Sequence, residues 1–409
     1  MAQSRLQAPP RPARRRVGGA ARRPAPAVTG ARRSPRRSRQ TAAVGSRQAN
    51  QAFVLLVGLI ALFAVIGLVM VLSASSDEAM LAGSSPLLYF ERQVVWVAVG
   101  AVALLAFAFI DYHAWPRWSG PLLAVVTVLL VAVCVPGVGV VVNGSRRWLG
   151  VGSLQFQPSE LAKLALVLFA ASLLSRRADR MDDTRFTFRP VAIVVVILAA
   201  LIMKQPDMGT AMVICGIAAT TLFVAGTPTR TLAAATAVSA VGGALLGVVA
   251  PYRLHRLLSF MHPQRDAGNT GYQAIQGRVG MAAGHWFGLG LGASRQKTGY
   301  LPNAYTDFIF AVIGEEIGFV GCVIVVVLFV ALAVLGVRAA MRAPDRLGTL
   351  LAAGITAWIV IQALVNVGAV VGLLPVTGVP LPFVSFGGSS MVIAMAGVGI
   401  LANVTRQGR

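Results

Sequence analysis

Apolar runs long enough to cross a bilayer recur along this chain, and they exclude most folds at once. A helix needs about 20 apolar residues to span the hydrocarbon layer, and every backbone polar group inside it must be satisfied within the segment or a closed barrel. Ten such runs fall at roughly 52–74, 91–110, 121–137, 158–175, 188–204, 207–226, 230–250, 307–337, 348–374 and 384–404. Barrel strands are short and alternate apolar with polar, whereas these runs are long and continuous. The expected fold is therefore an all-α polytopic membrane protein with ten transmembrane helices. Composition agrees: 12% of residues are charged, about half the share in a soluble domain.

Charge sets the expected orientation. Residues 1–49 carry 13 arginines and no acid among Pro, Ala, Ser and Gly. With so little to bury, that segment is expected to be a disordered tail. Beside a bilayer its charge implies cytoplasmic retention and attraction to anionic lipid, not nucleic acid. The tail is too long and arginine-dense for a signal peptide, and Ala52–Leu72 exceeds a signal core, so an uncleaved anchor is expected. With the tail inside, Arg176–Arg189 (five arginines), Arg230 and Arg338–Arg346 (three) are inside too, as the positive-inside rule requires. Both termini are then cytoplasmic. The stretches 143–163, 204–209 and 373–390 lie outside, as does the long loop 251–305 between the seventh and eighth helices.

That outer side is unusually cationic. The long loop has Arg253, Arg256, Arg265, Arg278, Arg295 and Lys297 against Asp266, and the only three lysines, Lys163, Lys204 and Lys297, all fall there. Such a concentration suggests an anionic ligand, most naturally a phosphate. The three cysteines sit in apolar runs and the four histidines lack metal-ligand spacing, so no resident metal is assigned.

The stretch "TDFIFAVIGEEIG" (306–318) opens the eighth apolar run on Asp307 and carries Glu315 and Glu316 two turns on. A carboxylate at membrane depth is costly unless paired or facing water. Asp307 is either a helix cap or a functional group, and composition leaves both readings open. Glu315 and Glu316 diverge by about 100° on a helix, so a structural ion pair is expected for one of them. Glu160 and Lys163, three apart after "QPS", can pair with each other or line an outer cavity. Asp207 fits a cap of the sixth segment.

These stretches carry a family resemblance. "RRWLGVGSLQFQPSELAKLALVL", "QPDMGTAMV", "GLGLGASRQKTGYLP", "TDFIFAVIGEEIG" and "LLPVTGVPLPFVSFGGSSM" resemble, in order, the motifs of the SEDS family (shape, elongation, division and sporulation). The resemblance covers nearly all of 50–405 and leaves the tail outside it. It implies a ten-helix glycosyltransferase domain over 50–409 that polymerises lipid II, an undecaprenyl-pyrophosphoryl disaccharide-pentapeptide, into peptidoglycan glycan strands.

In that picture Asp307 is the general base. It takes the proton of the acceptor N-acetylglucosamine 4-hydroxyl, that oxygen attacks C1 of the donor N-acetylmuramic acid with inversion, and undecaprenyl pyrophosphate leaves. Partial desolvation would raise a carboxylate pKa of about 4 toward a useful base. Cations must meet the charge that develops on the departing pyrophosphate. Arg147, Lys163, Arg278 and Lys297 are the candidates, with Glu160 orienting Lys163 and Ser389 completing the substrate-binding set. A divalent cation, Mg or Mn, is compatible but not visible in the sequence.

Many relatives read Glu-x-His-x-Asp-Phe where this chain has Asn303-Ala304-Tyr305-Thr306-Asp307-Phe308, so any role of that Glu and His does not carry over. The implied partner is a class B penicillin-binding protein (transpeptidase). The basic tail fits the division branch better than the elongation branch and suggests further division proteins as partners and a septal location in the bacterial plasma membrane. A lipid II flippase and a non-catalytic division scaffold are the competing functions. A flippase needs polar residues through the full membrane depth, whereas the candidates here gather on one side.

Overall fold

A computed structural model describes residues 35–142, 145–151, 154–181, 183–249, 259–266, 268 and 270–408. The chain divides into two units, 1–43 and 44–409. Most of the arginine tail lies outside the described residues. From Pro35 the chain is helical, so helix begins inside the stretch expected to be tail. Arg253, Arg256 and His255 also lie outside the described residues.

Each apolar run holds a helix. The first seven are α1 (Pro35–Leu81), α2 (Leu88–Phe109), α3 (Ser119–Cys134), α4 (Pro158–Arg176), α5 (Phe188–Lys204), α6 (Met208–Ala225) and α7 (Thr229–Val249). The long loop then contributes α8 (Thr270–Ala283), which is followed by α9 (Ile309–Glu316), α10 (Gly318–Arg342), α11 (Arg346–Val371) and α12 (Gly388–Gln407). Among the described residues seven helices are long and apolar enough to cross a membrane, those of the first, second, fourth, sixth, eighth, ninth and tenth runs. "KQPD" separates two distinct helices, α5 and α6, which pack on each other.

The helices sort into an inner and an outer set. In their most apolar windows α12, α4 and α11 are 89%, 78% and 72% buried, whereas α2 and α10 are 22% and 28% buried. The inner three gather the polar side chains Glu160, Lys163, Gln362, Asn366 and Asn403. The outer ones present Val, Leu and Phe to the surroundings, as lipid requires.

The structure departs from the expected fold in two places. Three strands, β1 (Val140–Val142), β2 (Ser145–Val151) and β3 (Leu154–Phe156), form an antiparallel sheet with β2 central. Val142 pairs with Ser145, and Leu149 with Phe156. The sequence signal was Asn143-Gly144 between two β-prone runs, a strong hairpin pair. The sheet packs against α3 and α4, and β3 meets α12.

The eighth apolar run is also not one helix: it breaks at Ile317 between α9 and α10. A break strands backbone groups, and here the loop after α8 satisfies them. Leu289 and Gly290 N–H donate to the Glu315 and Glu316 carbonyls, while Phe319 and Val320 N–H donate to the carbonyls of His285 and Trp286. Gly318 makes this docking possible. Its φ is +79°, and a Cβ there would collide with the backbone of Trp286–Gly288. Gly318→Ala should cost on the order of 1–3 kcal/mol from the dihedral alone and more from the collision, read as a lowered unfolding midpoint in detergent.

At the far end of α2 a second polar group ties the helices together. His113 Nδ1 lies 2.8 Å from Asp111 Oδ1, and its Nε2 lies 2.9 Å from Asp345 Oδ2. Tyr112 Oη donates to Asp345 Oδ1, the atom that also caps α11 through Gly348 N–H. Asn403 Oδ1 accepts from Tyr112 N–H, and Gln407 Nε2 donates to Asp111. Desolvation pushes the His113 pKa down, but the hydrogen bonds to Asp111 and Asp345 outweigh it and hold the imidazole above its ordinary value. The His113 hydrogen bond chiefly holds Asp111 below its own.

The raised His113 stabilises fully below its ordinary pKa and loses that contribution as pH rises through the raised value. The lowered Asp111 stabilises above its ordinary pKa and loses the contribution as pH falls through the lowered value. The clasp is thus complete between about pH 4 and 6.5. The unfolding-midpoint difference between wild type and His113→Gln should be largest there and shrink on going alkaline; a difference independent of pH would contradict the clasp.

Candidate active site

Asp307 lies just ahead of α9, with the helix opening at Ile309 instead of at the aspartate. It is half-buried, and its Oδ1 accepts from Thr306 Oγ1 at 3.1 Å. Its backbone is fixed from below. Asn366, buried on α11, donates both Nδ2 hydrogens, one to the Asp307 carbonyl and one to the Val379 carbonyl, each at 2.8 Å. One amide therefore joins the base of Asp307 to the loop 373–387.

Arg147 reaches the same point from β2. Its Nε donates to the Gln205 carbonyl at 3.0 Å and its Nη2 to the Pro206 carbonyl. "QPD" is therefore an arginine cradle. Asp207, the next residue, caps α6 as expected, accepting from Thr210 N–H and Oγ1.

The two charged groups meet across Gly378. Among the described residues, and apart from its own chain neighbours, a Cβ on that glycine would have only Arg147 Nη1 at 3.8 Å and Asp307 Oδ2 at 3.9 Å within 4 Å. Gly378 has φ +73°, a conformation costing a Cβ-bearing residue about 1–2 kcal/mol. Gly378→Ala should keep the fold yet put a methyl between guanidinium and carboxylate. Its expected result is at least a tenfold loss of turnover (about 1.4 kcal/mol of barrier) with an unfolding midpoint lowered only slightly.

Glu160 and Lys163 sit one layer deeper. Both are buried, and Lys163 Nζ donates to Glu160 Oε1 at 2.8 Å and to Gln362 Oε1 at 2.7 Å, with the Trp358 ring 5.5 Å away. Gln362 in turn donates to the Pro380 carbonyl at 3.0 Å. The pair thus supports the loop that carries Gly378. Ser389, in the first turn of α12, accepts from Gln157 N–H at 3.3 Å, and the Gln157 side chain donates to Asp207 at 3.4 Å.

The remaining candidates stand apart. Lys297 is buried against Glu316 Oε1 at 3.3 Å, and its Nζ also donates to the carbonyls of Ser73 and Gly292. Ser73 Oγ binds both Glu316 oxygens. Glu315 takes Ser294 Oγ and Arg295 N–H. The paired glutamates therefore bolt the "GASRQK" loop to the helix break, and the expected ion pair falls to Glu316. Arg278, on α8, lies over Gly372 at the end of α11, with its Nε buried and without a hydrogen-bond partner among the described residues.

Sequence reasoning missed Asn366, Gln362 and Gly378. The signal for the first two was there: polar residues at i and i+4 inside an apolar helix.

The fold and site define a multi-span helical membrane protein with a carboxylate and a guanidinium facing each other at one end of the bundle. The family model for the cell cycle proteins FtsW, RodA and SpoVE matches residues 53–409, and the chain belongs to that family. Stage V sporulation protein E of Bacillus subtilis is 41% identical over 87% of this chain and 97% of its own length. A probable peptidoglycan glycosyltransferase FtsW from Trichlorobacter lovleyi is 40% identical over 88% of this chain and 94% of its own. Among solved structures, a chain of a peptidoglycan synthase complex that coordinates polymerization and crosslinking has a TM-score of 0.70 at 30% identity, covering 86% of this chain and 96% of that one. Rod shape determining protein RodA of Thermus thermophilus gives 0.64 at 28% identity, covering 86% and 96%.

Proposed function

We propose that this chain is a peptidoglycan glycosyltransferase that polymerises lipid II into β-1,4-linked glycan strands. The observation that carries the reading is the convergence of Arg147 and Asp307 on the bare Gly378 backbone. Asp307 takes the proton of the acceptor 4-hydroxyl as its oxygen attacks donor C1. The electron pair of the breaking C1–O bond leaves with undecaprenyl pyrophosphate, and inversion follows from a single displacement. Arg147 meets the charge that develops on the pyrophosphate, where a fixed cation does most for the rate. Glu160, Lys163, Gln362 and Asn366 hold the loop and the aspartate in place. Ser389 steadies the Gln157–Asp207 side of the arginine cradle.

Lys297 and Arg278 would reach substrate only if their present contacts open. A divalent cation, Mg or Mn, would arrive with the pyrophosphate: among the described residues no three His, Cys, Asp or Glu side chains gather to hold one.

The family membership, with FtsW and sporulation proteins near 40% identity, supports work at the division septum of the bacterial plasma membrane. Ten crossings with both termini in the cytoplasm, a class B penicillin-binding protein as partner and further division proteins meeting the basic tail belong to the same reading. The test is fluorescent lipid II given to the purified chain with its transpeptidase partner. Glycan ladders on a gel are expected. Transbilayer movement of lipid II in liposomes without ladders would replace the polymerase by a flippase.

A further inference from the structure

At the end of the bundle opposite Asp307, the hairpin between α4 and α5 gathers cations that have no acidic partner among the described residues; Asp182 lies outside them. Arg176, Arg177, Arg180, Arg185 and Arg189 lie on it, and Arg117 faces Arg176 and Arg177 across a neighbouring groove. None of the six forms an ion pair among the described residues, although Asp179 and Asp183 are on the same hairpin. Among the described residues they contact a carbonyl and rings: Arg177 donates to the Phe186 carbonyl, Arg180 lies over the Phe186 ring at 5.7 Å, and Arg117 over Trp118 at 5.9 Å. The guanidinium edges are left to other partners.

The arginines are also joined to an apolar surface. A groove begins at Arg185 and Arg189 and runs along α5 past Ala192, Ile193, Val196 and Ile197. Ile193, Val196 and Ile197 are 51%, 66% and 46% exposed on a helix of mostly apolar residues. From Arg189 to Ile197 the groove descends about 12 Å at the helical rise, which is the upper half of an acyl chain. Orientation by the positive-inside rule needs arginines near helix ends. It does not call for arginines without an acidic partner among the described residues at the head of a groove that continues into the apolar layer.

We infer that this hairpin is a binding site for an anionic phospholipid, whose phosphate sits among Arg176, Arg177, Arg185 and Arg189 while one acyl chain lies along α5. Guanidinium forks match phosphate oxygens in pairs, and the helix face supplies the contact a soluble phosphate lacks. The site is independent of the glycosyl-transfer reading.

The experiment is native mass spectrometry of the full chain released from nanodiscs containing equal phosphatidylglycerol and phosphatidylcholine. Preferential retention of phosphatidylglycerol is expected. Each arginine near a membrane surface contributes about fivefold in affinity, so Arg185→Gln/Arg189→Gln should lower that occupancy at least about tenfold. Arg338→Gln/Arg342→Gln, which removes the same charge at the end of α10, should leave it unchanged. Excess inorganic phosphate should not displace the lipid. No headgroup preference, an equal loss in the control pair, or displacement by phosphate would each overturn the proposal. Should the groove variant fail to fold, photoactivatable phosphatidylglycerol on the wild-type chain decides: crosslinks within 184–197 support the site, and crosslinks confined elsewhere refute it.

Discussion

Asp307→Asn should abolish glycan-strand formation, by a factor of about 100 to 10,000, the usual contribution of a positioned general base. The change is close to isosteric, and two hydrogen bonds that hold residue 307 survive it. Its carbonyl remains bound to Asn366, and Thr306 Oγ1 still has a side-chain oxygen to donate to. The fold should therefore survive, with an unfolding midpoint near wild type, and lipid II should still bind. The amide fails only at the step that needs a proton acceptor facing Arg147. An Asp307→Asn protein with normal turnover would remove the base from the mechanism, and one that fails to fold would assign Asp307 to structure.

The second large effect is on stability. Lys163→Met leaves the Glu160 carboxylate buried without its cation, a change that costs about 3–5 kcal/mol. Glu160 Oε2 already lacks a hydrogen-bond partner among the described residues, so the remaining contacts offer little compensation. The double variant Glu160→Gln/Lys163→Met, which removes both charges, should recover much of the loss, because the pair's attraction and its desolvation cost largely offset one another. Unfolding of the two variants and the wild type in detergent gives the comparison. Equal destabilisation of single and double variants would mean that packing, not the buried charge, dominates at this position. Turnover should fall in the single variant as well, since Gln362 carries the support from Lys163 to the Pro380 loop.

Much of the architecture could be read from run length. Helices coincide with every apolar segment because lipid forces long apolar stretches to satisfy their own backbone. The break at Ile317 was not legible, since side chains stay apolar through it. What breaks the helix is the φ of Gly318 and a loop nearly 30 residues upstream that supplies the missing hydrogen bonds.

The site divides in the same way. Asp307 announced itself as a lone acid in an apolar context, and Arg147 as a cation in a motif. Lys163 and Lys297 were grouped with them by expected sidedness and by their place in the resembling motifs, and each proves to be held by a carboxylate. For Lys163 the partner, Glu160, stood three residues away and was visible as a pair. For Lys297 the partner is Glu316, brought close only by the folding of the "GASRQK" loop. Gly378 carried no signal, because its part is the space that its missing side chain leaves.

The site and the His113 clasp lie at opposite ends of α2. Tyr89, in its first turn, packs on Tyr305, and Tyr112, just past its end, meets Asp345. That separation is about 30 Å at the helical rise, the thickness of the hydrocarbon layer. The account therefore requires the Asp307 end to face the cell exterior. Single cysteines placed at Pro302 and His113 in a background free of the three native cysteines, probed on intact cells with a membrane-impermeant maleimide, test this directly. Position 302 should label from outside and position 113 only after lysis. Labelling of 113 in intact cells, with 302 protected until lysis, would put Asp307 on the cytoplasmic side and contradict the proposed chemistry.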